Sequence, residues 1–176
     1  NPSKLNEQRL YEDLITESIK IMGHDVYYLP REQWDQTDQL FGENVNARFD
    51  HAFKIDMYIL NVDGFQGDGE FFSKFGLEIR DNSNFVVAAR TFKKHIPTSL
   101  TIRPREGDLI YVPVMNKIFE VTFVEEKTQF YAAGTRLPYM YELRCETFRY
   151  SNESLDTGIE EIDDIEDNTT YTIEVE

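Results

Sequence analysis

Asp108-Leu109-Ile110-Tyr111-Val112-Pro113-Val114, then Met115-Asn116, then Lys117-Ile118-Phe119-Glu120-Val121-Thr122-Phe123-Val124 is the stretch that decides the fold. Two runs of β-branched and aromatic residues are separated by two residues, which is hairpin spacing, and Asn116 is available for a positive φ. In the second run Phe119, Val121 and Phe123 alternate with Glu120 and Thr122, so one face is predicted to be core. The same alternation returns downstream, from Tyr139 to Tyr150. There Tyr139, Tyr141, Leu143 and Cys145 face one way and Glu142, Arg144 and Glu146 the other, which places Cys145 in the core.

Upstream the period is again two. Phe53, Ile55, Met57 and Ile59 share a face opposite Lys54, Asp56 and Tyr58, until Leu60 and Val62 make both faces apolar. The glycines Gly64, Gly67 and Gly69 then break the strand, Glu70 to Phe75 reads as a helical turn closed by Gly76, and strands follow at Leu77 to Arg80 and Phe85 to Phe92. The start of the chain is different. From about Leu5 to Met22, Leu10, Tyr11, Leu14, Ile15 and Ile19 recur at helical spacing while Glu7, Glu12, Asp13 and Glu17 stay polar, and Gly23 is expected to supply a left-handed stop. A strand-like run, Val26 to Leu29, ends at Pro30. Arg31 to Asn46 is then a long polar connection that Trp34, Leu40 and Phe41 pin to something apolar. The expected fold class is mainly β (α+β): a small twisted β-barrel or sandwich with an N-terminal helix, long loops and a C-terminal acidic arm.

The arm comes from the charge distribution. The net charge is −15, and residues 151–176 hold ten acids and no Lys or Arg, leaving −5 for the first 150 residues. That shift marks a boundary between a single β-rich domain, 1–150, and an acidic arm, 151–176. Leu155, Ile159, Ile162 and Ile165 recur at spacings of four, three and three, close to one helical face, which a solvated tail does not need. Glu160, Glu161, Asp163 and Asp164 flank that stripe. The arm is therefore read as a partner-docking element, with a disordered solubilising tail as the alternative.

At 176 residues the chain is long enough to bury a core without metals or disulfides. Its one cysteine excludes an intramolecular disulfide, and neither Cys-x-x-Cys nor His-x-x-x-His spacing suggests a metal. No apolar run approaches the roughly 20 residues of a membrane span, so no membrane partner is expected. His24, His51 and His95 lie at turns or strand edges without a nucleophile or carboxylate at a motif spacing, so no catalytic residue and no cofactor is assigned. The Gly64-x-x-Gly67-x-Gly69 loop lacks the Lys-Ser/Thr ending of a phosphate cradle. Arg90, Lys93, Lys94, Arg103 and Arg105 form a basic stretch that suits either phosphates or another acidic segment.

Several longer runs resemble a known family. ESIKIMGHDVYYLPRE (17–32), LFGENVNARFDHAFKIDMYILNVDGFQGDGEFFSKFGLEIRD (40–81) and REGDLIYVPVMNKIFEVTFVE (105–125) are similar, in order, to the neck protein of large contractile-tailed phages related to T4. The specific items are Tyr27 to Glu32, Phe41-Gly42-Glu43, Gly64-Phe65-x-Gly67, Phe71-Phe72-Ser73-x-Phe75-Gly76 and Glu106 to Tyr111. Beyond Tyr131 the similarity is looser, although RYSNESLDTGIEEID (149–163) resembles the ending of marine-phage members, and the acidic finish differs from the T4-type extension.

What this resemblance implies is a non-enzymatic head-completion, or stopper, protein of the virion neck, made in the host cytoplasm. It implies a six-fold ring (a homohexamer) between the portal-side adaptor ring and the tail terminator, retaining packaged DNA and offering the tail its docking surface. DNA passes such a channel without specific binding, and an acidic surface helps it slide. Ring contacts are heterologous, so reaching elements are expected. Trp34 and the arm residues Leu155, Ile159, Ile162 and Ile165 are the candidates, with Leu155, Ile159 and Ile162 entering an apolar groove of an adjacent ring and the carboxylates meeting a basic rim. Two other readings stay open: an adaptor that adds a strand to a partner's sheet edge, and a carboxylate-based hydrolase using an Asp/Glu pair.

Overall fold

A computed structural model describes residues 2–32, 48–63, 82–127, 138–149 and 154–163. The element order is α1 (Pro2–Met22), β1 (His24–Leu29), β2 (Arg48–Phe49), β3 (Phe53–Asp63), β4 (Asn82–Ala88), α2 (Ala89–His95), β5 (Leu109–Val112), β6 (Lys117–Lys127), β7 (Met140–Thr147) and β8 (Ser154–Leu155). Six strands close into a barrel in the order β1-β3-β4-β7-β6-β5, every pair antiparallel, with β5 returning to β1 through Tyr27↔Tyr111 and Leu29↔Leu109. The small twisted β-barrel with an N-terminal helix is therefore the fold. Closure leaves these six strands without a free edge.

Period two explains the interior. Val26 and Tyr28, Ile55 and Met57, Phe85 and Val87, Ile110 and Val112, Phe119 and Val121, and Tyr141, Leu143 and Cys145 form one buried cluster. Phe85 and Phe119 meet edge-to-face at 5.5 Å, and each buried ring contributes about 1.5–3 kcal/mol. Cys145 lies inside as expected, and burial pushes its thiol well above the ordinary cysteine range.

Two departures from strict alternation have local causes. Phe123, expected on the core face, is 48% exposed, because a bulge between Val121 and Phe123 shifts the register and turns Val124 inward instead. Leu60 is likewise exposed, where both faces of β3 were expected to be apolar. Strand 85–92 also ends early, at Ala88. Ala89, Phe92 and Ile96 fit helical spacing as well as Phe85, Val87 and Ala89 fit strand spacing, and the good helix formers Arg90, Lys93 and Lys94 settle the segment as α2. α2 follows directly on β4 and closes that end of the barrel, with the Phe92 ring 5.1 Å from Tyr28 and 6.1 Å from Tyr141.

The β5–β6 connection spans Pro113 to Asn116 rather than two residues, since Val114 is fully in the turn and exposed. Asn116 takes the positive φ, 49°. Gly23, by contrast, is not left-handed. Its N–H donates to the Ile19 carbonyl at 2.7 Å, and a Cβ there would collide with that carbonyl and stand 2.9 Å from the Met57 carbonyl oxygen. The glycine lets the helix end lie against β3.

α1 packs on one outer wall. Ile15 and Ile19 meet Tyr58, Val86, Ala88 and Met140, and Tyr11 sets its ring edge-on to Tyr139 at 5.3 Å. The opposite wall, made of β1, β5 and β6, carries a second cluster: Leu29, Leu109, Tyr111 and Ile118 are covered by Phe49, Leu155 and Ile162. The Gly64–Gly69 break, the turn at 70–75, the strand at 77–80, and Trp34, Leu40 and Phe41 lie outside the described residues.

Candidate functional site

Two surfaces of the barrel and one buried cluster carry groups that packing alone does not use. The first is the returning chain at 154–163. β8 pairs parallel with β2 through Arg48↔Ser154 and Phe49↔Leu155, and the N–H of Asp156 donates to the Phe49 carbonyl at 3.2 Å. Leu155 and Ile162 are buried on the barrel and Ile159 packs beside them, so these three side chains seat on this chain's own wall. They were expected to enter an apolar groove of an adjacent ring; within the single chain Phe49, Leu109, Tyr111 and Ile118 supply an apolar partner, at no cost in translational freedom. Asp163 is spent locally, its carboxylate accepting from the N–H and Oγ of Thr157 at 3.1 and 2.9 Å and from the N–H of Gly158 at 3.1 Å. Gly158 has φ +71°, which the tight turn requires. Glu160 and Glu161 stay exposed. Glu161 and burial raise the pKa of Tyr111 beneath them, burial contributing more. Trp34, Asp164 and Ile165 lie outside the described residues.

The second surface is on α1. Its expected stripe divides in two: Tyr11, Ile15 and Ile19 turn to the barrel, while Leu10, Leu14 and Ile21 are 61%, 59% and 79% exposed. At 100° per residue those three fall within about 40° of one another, so they form one apolar ridge facing outward. Beside it a groove of about 610 Å³ runs between α1 and α2, where Asp13, Glu17 and Asp56 face Lys20, Arg90, Lys94 and His95. An Arg90–Asp13 ion pair bridges the two helices.

The groove's edge holds a carboxylate pair of the kind a hydrolase would call on. Asp25 and Asp56 are register partners on β1 and β3. Hydrogen bonding to Lys54, 2.7 Å away, and to Asp56 holds Asp25 below the usual carboxylate range, while burial and the proton shared with Asp25 raise Asp56. Asp25 is exposed and paired with Lys54 and Asp56 is half-buried beside it; the arrangement is that of a surface ion-pair cluster.

The third feature is buried. Asp108 is fully enclosed and accepts from the hydroxyl of Tyr28, the N–H of Arg31 at 2.7 Å and the N–H of Arg105 at 3.0 Å. Arg105 in turn donates through its guanidinium to the Arg31 carbonyl at 3.0 Å. This knot ties the end of β1 to the segment entering β5. Burial raises the Asp108 carboxyl despite the three donors, and burial with the neighbouring carboxylate raises Tyr28 well above its ordinary value. Sequence reading took Asp108 as a strand start; its only signal was an acid directly before an all-apolar run.

Among the described residues no group of three His, Cys, Asp or Glu side chains could hold a metal ion, and no helix is long and apolar enough to cross a membrane. What the geometry defines is a small closed barrel dressed on opposite walls with different chemistry. The chain matches the family of virus neck proteins of the T4 type over residues 2–176, and it belongs to that family. It is thus a structural component of the phage virion neck, associated there with other virion proteins, and the family is not one of enzymes. No solved structure matches the chain.

Proposed function

We propose that this protein works as one copy in a ring of identical subunits between the portal-side adaptor and the tail terminator, where the ring retains packaged DNA and offers the tail its docking surface. The observation that carries this reading is the placement of two unlike surfaces on opposite walls of one barrel: the apolar ridge Leu10, Leu14 and Ile21 on α1, and the acid-fringed strand and turn at 154–163. A cyclic ring needs such a pair, because each subunit offers its two neighbours different patches. Exposed apolar side chains aligned on one helix face also mark a protein contact more than a wet surface. The net charge of −15 keeps a passing duplex from adhering. Closure of the barrel favours this reading over strand addition, since the six barrel strands pair on both sides.

The test is single-particle imaging of tailed virions carrying a small tag after Glu176. Ring-shaped tag density at the head-to-tail junction is the expected result. Density elsewhere on the particle, or none on infectious tagged virions, would overturn the assignment.

A further inference from the structure

α2 ends in Lys93, Lys94 and His95, all exposed. Among the described residues neither lysine has an acidic partner. Several other exposed cations are answered on the spot: Lys54 by Asp25, Lys127 by Glu125 and Glu142, Arg103 by Glu126 and Arg144 by Glu125. In a chain with 33 acids and 18 bases, two open lysines beside a groove are a conspicuous vacancy. Their place in the last turn suits the helix carbonyls, and their long stems leave the ammonium groups free to reach outward.

The chain itself carries the complementary chemistry. Residues 164–176 contain five acids and no base, and Tyr171, Ile173 and Val175 alternate with Thr172, Glu174 and Glu176. An acidic segment with an apolar side matches a groove that has lysines at its end and the ridge Leu10, Leu14 and Ile21 along its flank. Duplex DNA would satisfy the lysines and leave the ridge wet, and Asp13 and Glu17 between them repel a continuous phosphate chain more than a peptide whose charges are spaced. The segment begins after Asp163, on the wall opposite the groove. Thirteen residues reach about 43 Å fully extended. A path to the same molecule's groove must bend around the barrel, whereas a neighbour related by rotation presents its groove directly.

We infer that residues 164–176 of one copy dock along the α1 ridge and the lysine end of α2 on a second copy of this chain. The inference rests on the ring proposed above, for which it names the contact. It is tested on the full chain, with isotopically heavy and light copies mixed before assembly, by carbodiimide crosslinking and mass spectrometry, alongside mass photometry of the same samples. The expected result is amide crosslinks from Lys93 or Lys94 to Glu166 or Asp167 in mixed-label pairs. K93E/K94E should lower association roughly tenfold, as expected for two exposed pairs, and E166K/D167K in the same chain should restore it, which separates lost contact from lost folding. Rings without mixed-label crosslinks would overturn this contact and leave the ring standing; monomers alone at every concentration would overturn both. Crosslinks confined to same-label pairs would make the segment its own molecule's strap. Retardation of a short duplex that K93E/K94E abolishes, without mixed-label crosslinks, would make nucleic acid the occupant; either result overturns the inference.

Discussion

Replacing Asp108 by alanine should cost roughly 3 kcal/mol of folding stability, and the reasoning behind that number can be checked donor by donor. The substitution strips an acceptor from the Tyr28 hydroxyl and from the N–H groups of Arg31 and Arg105. Tyr28 is fully buried, so its hydroxyl stays dry and unpaired at about 1–3 kcal/mol. Arg31 and Arg105 lie nearer the surface, and water can replace the carboxylate there, at about 0.5–1 kcal/mol each. Relief from burying a carboxylate offsets about 1 kcal/mol. Urea unfolding followed by circular dichroism should show the midpoint falling with the slope unchanged. Asp108→Asn keeps one acceptor and should cost about half as much. Its cost should also depend on pH. Because burial raises the folded carboxyl above its unfolded value of 3.8, the folded state holds its proton more tightly. The parent therefore loses stability as pH rises from 3.8 through the folded value, and the Asn variant, lacking that slope, is worst relative to the parent at acid pH and approaches it as pH rises. A loss below about 1 kcal/mol for Asp108→Ala would refute the view that the knot anchors the entry to β5.

Gly23→Ala should destabilise by about 2–4 kcal/mol, because backbone carbonyls of Ile19 and Met57 bar the added methyl and α1 must shift off β3; thermal melting that stays within a degree of the parent would count against it. Ile162→Ala should cost about 2–4 kcal/mol at its own site, freeing the 154–163 segment for limited proteolysis while the barrel still melts cooperatively. Equal protease resistance in parent and variant would show the segment held by other means. The Ser83 hydroxyl is buried without a hydrogen-bond partner among the described residues, so Ser83→Ala should be neutral or stabilising by up to about 1 kcal/mol, and a clear loss in urea would reveal a partner.

Much of the barrel was legible from residue order alone. Alternation in Phe53–Ile59, Lys117–Val121 and Tyr141–Cys145 fixed which side chains face inward, since a strand's side chains can only alternate, whereas Tyr139, expected on that face, lies just before β7 and packs on Tyr11 of α1; Cys145 and Asn116 took the places that pattern and turn chemistry assigned. The family could be recognised from the motifs between Tyr27 and Tyr111, and the whole-chain match agrees. The arm's apolar stripe was visible as a stripe, but its destination was not. Local patterning states that Leu155 and Ile162 need cover; it does not say that Phe49, Leu109, Tyr111 and Ile118 provide it, because that depends on which wall the barrel turns outward. The same holds for α1, whose periodicity joined Leu10 and Leu14 to Ile15 and Ile19, although only one side of the helix meets β3 and β4. The bulge after Val121 and the enclosure of Asp108 arise from contacts between residues far apart in the chain. Element type is set by neighbours within a few residues, so order alone determined the strands, their inner faces and the first helix; closure of β5 on β1, the choice of covered walls and the buried carboxylate knot are set by which distant surfaces fit, and the tertiary structure alone decided them.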